Sequence, residues 1–342
     1  METIKDIAKA CGVGVSTVSR AINNHPDINP ETKEMIMNVI HEHNYIPNNS
    51  ARNLKRSNAK TIAVLIKGIT NPFFSSMIGI IERKTYEKKY SFILQHVEEH
   101  EDELDVAIEL IKEKRLKGII FLGGNISHSS EKLKQLDIPF VLNTLGIPED
   151  YRTQSDKWAC VSVDDYVESY KMVDYLCKQG HQRIAIISAS CDDQSIGLLR
   201  YKGYLQAMKD NGRTIVEELV MHMNGPTDAY NMETGYRLMK QLMGKKEAFT
   251  AVYAIADSLA LGACRAIREE GKTIPDDYSV AGFDGIEMGA YYVPSLTTIR
   301  QPVEEMAKTM IFLLFDMIKK EGGHKRVVLP ASLLERESTK TL

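Results

Sequence analysis

Near the N-terminus, apolar residues recur at helical spacing; from Thr61 onward they gather into short continuous runs alternating with longer helical stretches. Thr3 followed by Asp6 has capping-box spacing, so a first helix is predicted from Ile4, with Ile4, Ile7 and Ala8 on its inner face. Cys11-Gly12-Val13-Gly14 breaks the pattern with small residues, and helical spacing resumes at Val15, Val18 and Ile22. Asn29-Pro30-Glu31 supplies an N-cap, a first-turn proline and an acidic first turn for a third helix, with Met35, Ile36, Val39 and Ile40 on one face. On the second helix Ser16, Thr17, Ser19 and Arg20 fall outside the apolar face, and Asn23 closes the run. Two short helices around a glycine-bearing turn fit a helix-turn-helix, whose hydroxyls and arginine suit base edges and phosphates in a major groove. A plain surface hairpin has the same spacing, and the pattern alone leaves both open.

From Thr61 the rhythm is β then α. Strands are predicted at 61–66, 92–96, 118–122 and 140–143, with helices at 73–88 and 102–114. A second set starts near Cys160, with helices at 166–179, 199–211, 233–243 and 258–270 and strands at 183–188, 251–255 and 279–283. Repeated β-α units call for parallel sheets with helices on both faces. Two sets, joined near Val163 and again near Pro294, give two similar lobes with a cleft between them.

Charge sharpens the division of labour. The chain of 342 residues carries a net charge of −3, which by itself argues against nucleic acid. The balance up to residue 60 is slightly positive, however, and its bases concentrate after residue 50 at Arg52, Lys55, Arg56 and Lys60. Segment 50–56, with Leu54 among these bases, is too short to be a stable helix by itself, and on composition it equally fits a solvated linker. The 5 cysteines are scattered without a C-x-x-C pair, as in a reducing cytoplasm. Met1 leads straight into a capped polar helix, without a signal peptide, and no apolar run approaches membrane-spanning length.

The stretch Thr3–Asn23, centred on Thr17-Val18-Ser19-Arg20, resembles the headpiece of the LacI/GalR family of bacterial transcription regulators. The resemblance continues through Gly180-His181-Gln182-Arg183-Ile184, the run from Ile274 to Asp284, Ser295–Pro302 and Leu334–Thr339. Tyr151–Trp158 does not fit the pattern residue by residue. The resemblance implies an α-helical helix-turn-helix headpiece (1–46), a hinge helix and linker (47–60), and an α/β two-lobed sensor (61–342) with parallel sheets like those of periplasmic binding proteins. It implies a chain that crosses between lobes three times, a hinge in which Leu54 wedges into the minor groove, and phosphate contacts from Lys55 and its basic neighbours.

Candidate chemistry follows from strand-to-helix loops, the usual crevice of open α/β sheets. Phe73 and Phe74 could stack on a ring, with one of the pair expected in the core. Gln194, Arg200, Asp257 and Asp284 lie at neighbouring loops and supply donors and charged acceptors suited to vicinal hydroxyls. The resemblance puts effector contacts at these positions too, while helix capping is the structural alternative for each aspartate. Asp164-Asp165 reads as a cap, and Leu145 is left out of the site. Substitution of Arg200 or Asp284 is expected to spare the stability of the unliganded protein.

The enzyme alternative rests on His96-Val97-Glu98-Glu99-His100, an inverted zinc-protease motif, but that motif needs a helix and here follows a β-rich run. These features together predict a cytoplasmic, homodimeric regulator without cofactor, metal or membrane contact. Its partners would be double-stranded operator DNA and a small effector of the sugar, sugar phosphate or nucleoside class. The rivals are a binding protein with an idle headpiece and a hydrolase built on the lobes.

Overall fold

The computed structural model describes residues 3–22, 24–43, 45, 60–98, 100–124, 129–143, 155–190, 195–224, 228–245 and 247–342. The chain divides into two compact units, Met1–Ala59 and Lys60–Leu342.

In the first unit, α1 (Ile4–Ala10), α2 (Val15–Ile22) and α3 (Pro30–Glu42) enclose a small core of Ile7, Ala8, Val18, Ala21 and Ile36. Asp6 accepts from the Thr3 amide at 2.8 Å and the Thr3 hydroxyl at 2.7 Å, fixing the start of α1. Gly12 makes the turn with φ of 65°, a conformation that disfavours a side chain. Asn29 caps α3, its Oδ1 accepting from the Glu31 and Thr32 amides. Val15 departs from the predicted inner face: it lies in the first turn of α2 and is 41% exposed, and Ala21 takes the buried position beside Val18.

The second unit contains two six-stranded sheets. The first lobe uses β1 (Thr61–Lys67), β2 (Ser91–Val97), β3 (Gly118–Leu122), β4 (Phe140–Asn143), β5 (Trp158–Ser162) and β11 (Lys325–Val328). They are ordered β11-β5-β4-β3-β1-β2, all parallel. The second lobe uses β6 (Ile184–Ala189), β7 (Val220–Met223), β8 (Ala251–Ala254), β9 (Ser279–Asp284), β10 (Thr297–Arg300) and β12 (Ser332–Leu334). Their order is β12-β10-β9-β8-β6-β7, with β12 alone antiparallel.

Strand β1 shows why its run is uniformly apolar. Successive side chains leave opposite faces of a strand. Ile62, Val64 and Ile66 join Met77 and Ile81 of α4 (Pro72–Glu87) in one core, while Ala63 and Leu65 join Leu104 and Ala107 of α5 (Glu103–Lys114) in another. Both faces are covered, so alternation with polar residues is not possible. A short α6 (Ser130–Lys134) precedes β4.

The lobe boundaries differ from the sequence reading in three respects. β5 belongs to the first sheet rather than opening the second set. The second crossing lies at Gln301-Pro302, since Pro294 sits between α11 (Glu287–Tyr291) and β10, inside the second lobe. From that crossing α12 (Val303–Lys319), unpredicted, returns to pack on β3, β4, β5 and α4 of the first lobe. The remaining second-lobe helices are α7 (Asp165–Lys178), α8 (Ile196–Asp210), α9 (Met232–Gly244) and α10 (Asp257–Glu269). Residues 329–331 make the third crossing, between β11 and β12.

Candidate functional site

Helix α2 exposes Ser16 and Arg20, holds Thr17 and Ser19 half-buried, and buries Val18. Lys5 and Lys9 of α1 are also exposed. The unit therefore offers short hydroxyls and one arginine on a helix seated by its opposite face, an arrangement able to enter a groove without losing its own core. Asn23, Leu54 and Lys55 lie outside the described residues.

The second site is a cavity of about 400 Å³ between the lobes. It lies beyond the C-terminal ends of the strands, where helix N-termini and loops converge. From the first lobe come Lys67 at the end of β1 and Gly68 after it, Asn71, which caps α4, with Phe73 and Phe74 in its first turn, and Gly123 and Gly124 after β3. From the second come Ser190 after β6, Ser195 and Arg200 of α8, Tyr230, and Asp284 at the end of β9.

Phe73 and Phe74 are both buried and both line the cavity, their rings edge to face with centroids 5.3 Å apart. They combine core and cavity roles instead of dividing them. Asn71 caps α4 by accepting from the Phe73 amide at 3.0 Å, and its Nδ2 donates to Asp284 Oδ2 at 3.5 Å across the lobes. The sequence reading left Asn71 out of the site. It also missed Tyr230, whose hydroxyl lies 3.1 Å from that of Ser195, the cap of α8; nothing in its polar loop marked it.

Arg200 is 2% exposed. Its Nε donates to Asp165 Oδ1 at 2.9 Å, and its Nη1 to the Ile255 carbonyl at 2.6 Å and Asp284 Oδ1 at 3.2 Å. The guanidinium lies 3.7 Å from the centroid of the Phe283 ring. Burial alone would lower the Arg200 pKa, but Asp165 and then Asp284 outweigh it and raise it. Removing this side chain would leave two buried carboxylates unpaired, so the expectation of little effect on stability is corrected. Asp164, not Asp165, caps α7, accepting from the Val167 amide at 3.0 Å; Asp165 is the ion-pair partner.

Asp284 is pushed up to about 6 by burial, against the opposing pull of Arg200 and hydrogen bonds from Gln301 and Asn71. Gln301 Nε2 donates to its Oδ1 at 2.9 Å. The carboxyl is therefore held from three sides, with one face toward the cavity.

Asp257 is not brought into the cavity wall. It accepts from the Gly285 and Ile286 amides, both at 2.8 Å, and from the Thr298 hydroxyl at 2.6 Å, so its oxygens are engaged within the second lobe. Direct effector contact by Asp257 is corrected on that ground; nor does it cap α10, of which it is the first residue. Gln194 lies outside the described residues. His96 is in β2, so the helical geometry that the inverted zinc motif requires is not present there, and Glu99 is outside the described residues. Among the described residues no helix is long and apolar enough to cross a membrane.

Residues 3–48 match the model of the bacterial regulatory proteins of the lacI family, and residues 173–339 match the periplasmic binding protein-like domain. The HTH-type transcriptional regulator MalR of Clostridium butyricum is 39% identical over 337 residues, covering 98% of both chains. The HTH-type transcriptional repressor PurR of Vibrio atlanticus is 32% identical over the whole of both. Among solved structures, a complex of the transcriptional regulator CelR with cellobiose is 26% identical with a TM-score of 0.71, covering 99% of this chain and 100% of that one. The lac repressor dimer bound to operator and the anti-inducer ONPF shares the fold, with a TM-score of 0.72 at 24% identity over 99% of both chains.

Proposed function

The chain belongs to the LacI family of bacterial regulatory proteins, and from that membership we propose how its two units divide the work of a DNA-binding transcriptional regulator. It is not an enzyme. A homodimer presents two headpieces to a two-fold-symmetric operator, because a single mildly basic headpiece makes too few phosphate contacts for tight binding. Ser16, Thr17, Ser19, Arg20 and Asn23 face the major groove, while Leu54 wedges into the minor groove with Lys55 on a phosphate. The protein works in the cytoplasm, where its operator is.

The effector binds in the interlobe cavity and is an uncharged polyhydroxylated molecule, a sugar rather than a sugar phosphate. The pairing of charge at the cavity carries this reading. Lys67 Nζ lies 3.7 Å from Glu103 Oε2, Arg200 is paired with Asp165 and Asp284, and Asp228 is paired with Arg237. Among the described residues these cations already have carboxylates, so a phosphate would enter without a new counter-charge. Asp284 and the hydroxyls of Ser195 and Tyr230 suit sugar hydroxyls, and Phe73 or Phe74 suits the apolar face of a pyranose. The CelR–cellobiose complex supports the same class.

A thermal-shift screen tests it. A neutral sugar at 100 times its Kd stabilises by about 2.7 kcal/mol and raises Tm accordingly. A rise confined to phosphorylated sugars or nucleosides would reject the class.

A further inference from the structure

The aspartate that stands outside the cavity has a place in the effector response. Asp257 Oδ2 takes the amides of Gly285 and Ile286, each at 2.8 Å, and these follow Asp284 directly in the chain. Asp284 has φ of 121° and Gly285 φ of 76°. Positive φ at a residue with a side chain is strained and persists only where surrounding structure imposes it. The turn is held on one side by the Gln301 amide, which donates to the Asp284 carbonyl at 3.1 Å, and on the other by the Asp257 carboxyl, which also accepts from the Thr298 hydroxyl at 2.6 Å. The fit leaves no slack: a Cβ on Gly282 would lie 2.2 Å from Asp257 Oδ1, and one on Gly285 would lie 2.6 Å from Arg300 Cα.

We infer that Asp257 is a positioning residue, which clamps the Gly285 and Ile286 amides so that Asp284 keeps its carboxyl on the cavity, and which thereby sets effector affinity without touching the effector. This rests on the reading of Asp284 as an effector contact. The clamp needs an acceptor of fixed position, not a charge. Burial, with the nearby Asp284 carboxylate, pushes Asp257 up to about 8, so its charged form is disfavoured. Its Oδ2 takes the two amides and its Oδ1 the Thr298 hydroxyl, which also reaches the Ile299 carbonyl at 3.3 Å. Asparagine keeps a carbonyl for the amides and sets its NH₂ toward Thr298, whose hydroxyl turns to accept it and to donate to the Ile299 carbonyl.

The test uses the full chain as Asp257→Ala and Asp257→Asn, each in the wild-type and the Asp284→Asn backgrounds, with Thr298→Val as a milder disturbance should Asp257→Ala fail to fold. Hydrogen exchange of the amides at Gly285 and Ile286 is followed without ligand, and affinity is measured for the neutral disaccharides maltose and cellobiose. Asp257→Ala is expected to speed exchange and weaken sugar binding, each at least tenfold, and Thr298→Val to do so three- to tenfold. Asp257→Asn stays within about threefold of wild type on both readouts, by conserving the clamp. In the Asp284→Asn background, Asp257→Ala adds less than a twofold further loss, because the two act through one carboxyl. Equal amide protection in wild type and Asp257→Ala overturns the inference, as does an affinity loss undiminished by Asp284→Asn. Unchanged sugar affinity in Asp284→Asn alone would instead overturn the effector assignment.

Discussion

Asn71 Nδ2 donates to Asp284 Oδ2 at 3.5 Å, a buried contact that runs from one lobe to the other beside the cavity. The same amide's oxygen caps α4 through the Phe73 amide at 3.0 Å. One side chain thus fixes the helix that carries the two phenylalanines and touches the carboxyl proposed to hold the effector. At 3.5 Å the bond is at the outer limit of useful geometry, so a small closing motion strengthens it. A ligand held by both lobes favours closure by its differential affinity for the closed form.

Asn71→Ala should therefore have two separable effects. Loss of the cap lowers stability by about 0.5–2 kcal/mol. Loss of the cross-lobe bond weakens effector binding. Asn71→Ser keeps a capping oxygen but cannot reach Asp284, so its melting temperature should stay near wild type while its effector affinity falls. Parallel losses in Asn71→Ser would show that the contact acts only through α4.

Asp284 should give the effector response a pH dependence. The groups that face it are Arg200 of α8, Asp165 of α7, Asp257 of α10, Gln301 at the second crossing and Asn71 of the first lobe. Its folded pKa, pushed up to about 6, exceeds its ordinary value of 3.8. The folded state then binds more protons in that window, so the stability tied to neutral Asp284 is full below pH 3.8 and lost as pH rises through about 6. Asp257 continues the decline toward about 8. Ionised Asp284 accepts hydroxyl hydrogens better than the acid does, so effector affinity should move the other way, rising between pH 5 and 7 by at most about tenfold per unit. Asp284→Asn should flatten the affinity profile. Calorimetric titration across this range, beside thermal melts of the unliganded protein, reads both trends.

Arg200→Ala should be much less stable than wild type, by about 3–5 kcal/mol, because it strands Asp165 and Asp284 in the interior. Asp284→Asn keeps an acceptor oxygen for Gln301 and Arg200 and loses only the weak bond from Asn71, so it should fall by less. Urea melts of the two variants compare them directly; equal and small losses would mean the buried network contributes little.

How far these features were legible in the sequence follows from what kind of signal each left. Caps were readable because they are local: Asp6, Asn29 and Asp164 each accept from amides two or three residues away. Strand β1 was readable because burial on both faces makes an unbroken apolar run. Helix α12 was missed although it is strongly apolar, since what it packs on, β3 to β5, lies far back in the chain. Strands β11 and β12 were missed because their residues are largely exposed or half-buried and their apolar runs, Val327-Val328-Leu329 and Leu333-Leu334, are too short to mark a strand. In the site, Arg200 and Asp284 were found from loop position. The engagement of Asp257 with Gly285 was invisible, because a cap and a clamp use the same residue type, and only the fold decides which amides are in reach.

On the DNA side, Arg20→Ala should cost about 1–3 kcal/mol of operator binding if the guanidinium reads a guanine, with relaxed preference at one position in each half-site. Competition binding with singly substituted operators measures it. A uniform loss across all sequences would assign Arg20 to a phosphate instead.

The central claim is that an effector held at Asp284 between the lobes controls operator affinity. Its most direct measurement is an operator titration, by fluorescence anisotropy, of wild type and Asp284→Asn with and without the neutral sugar that raises the wild-type melting temperature. Coupling of about 1–3 kcal/mol predicts a 5- to 150-fold change in wild-type operator Kd on adding sugar. The account expects Asp284→Asn to match the sugar-free wild type and to show no change when the sugar is added at the concentration that saturates wild type. A full sugar-induced change in Asp284→Asn would contradict it.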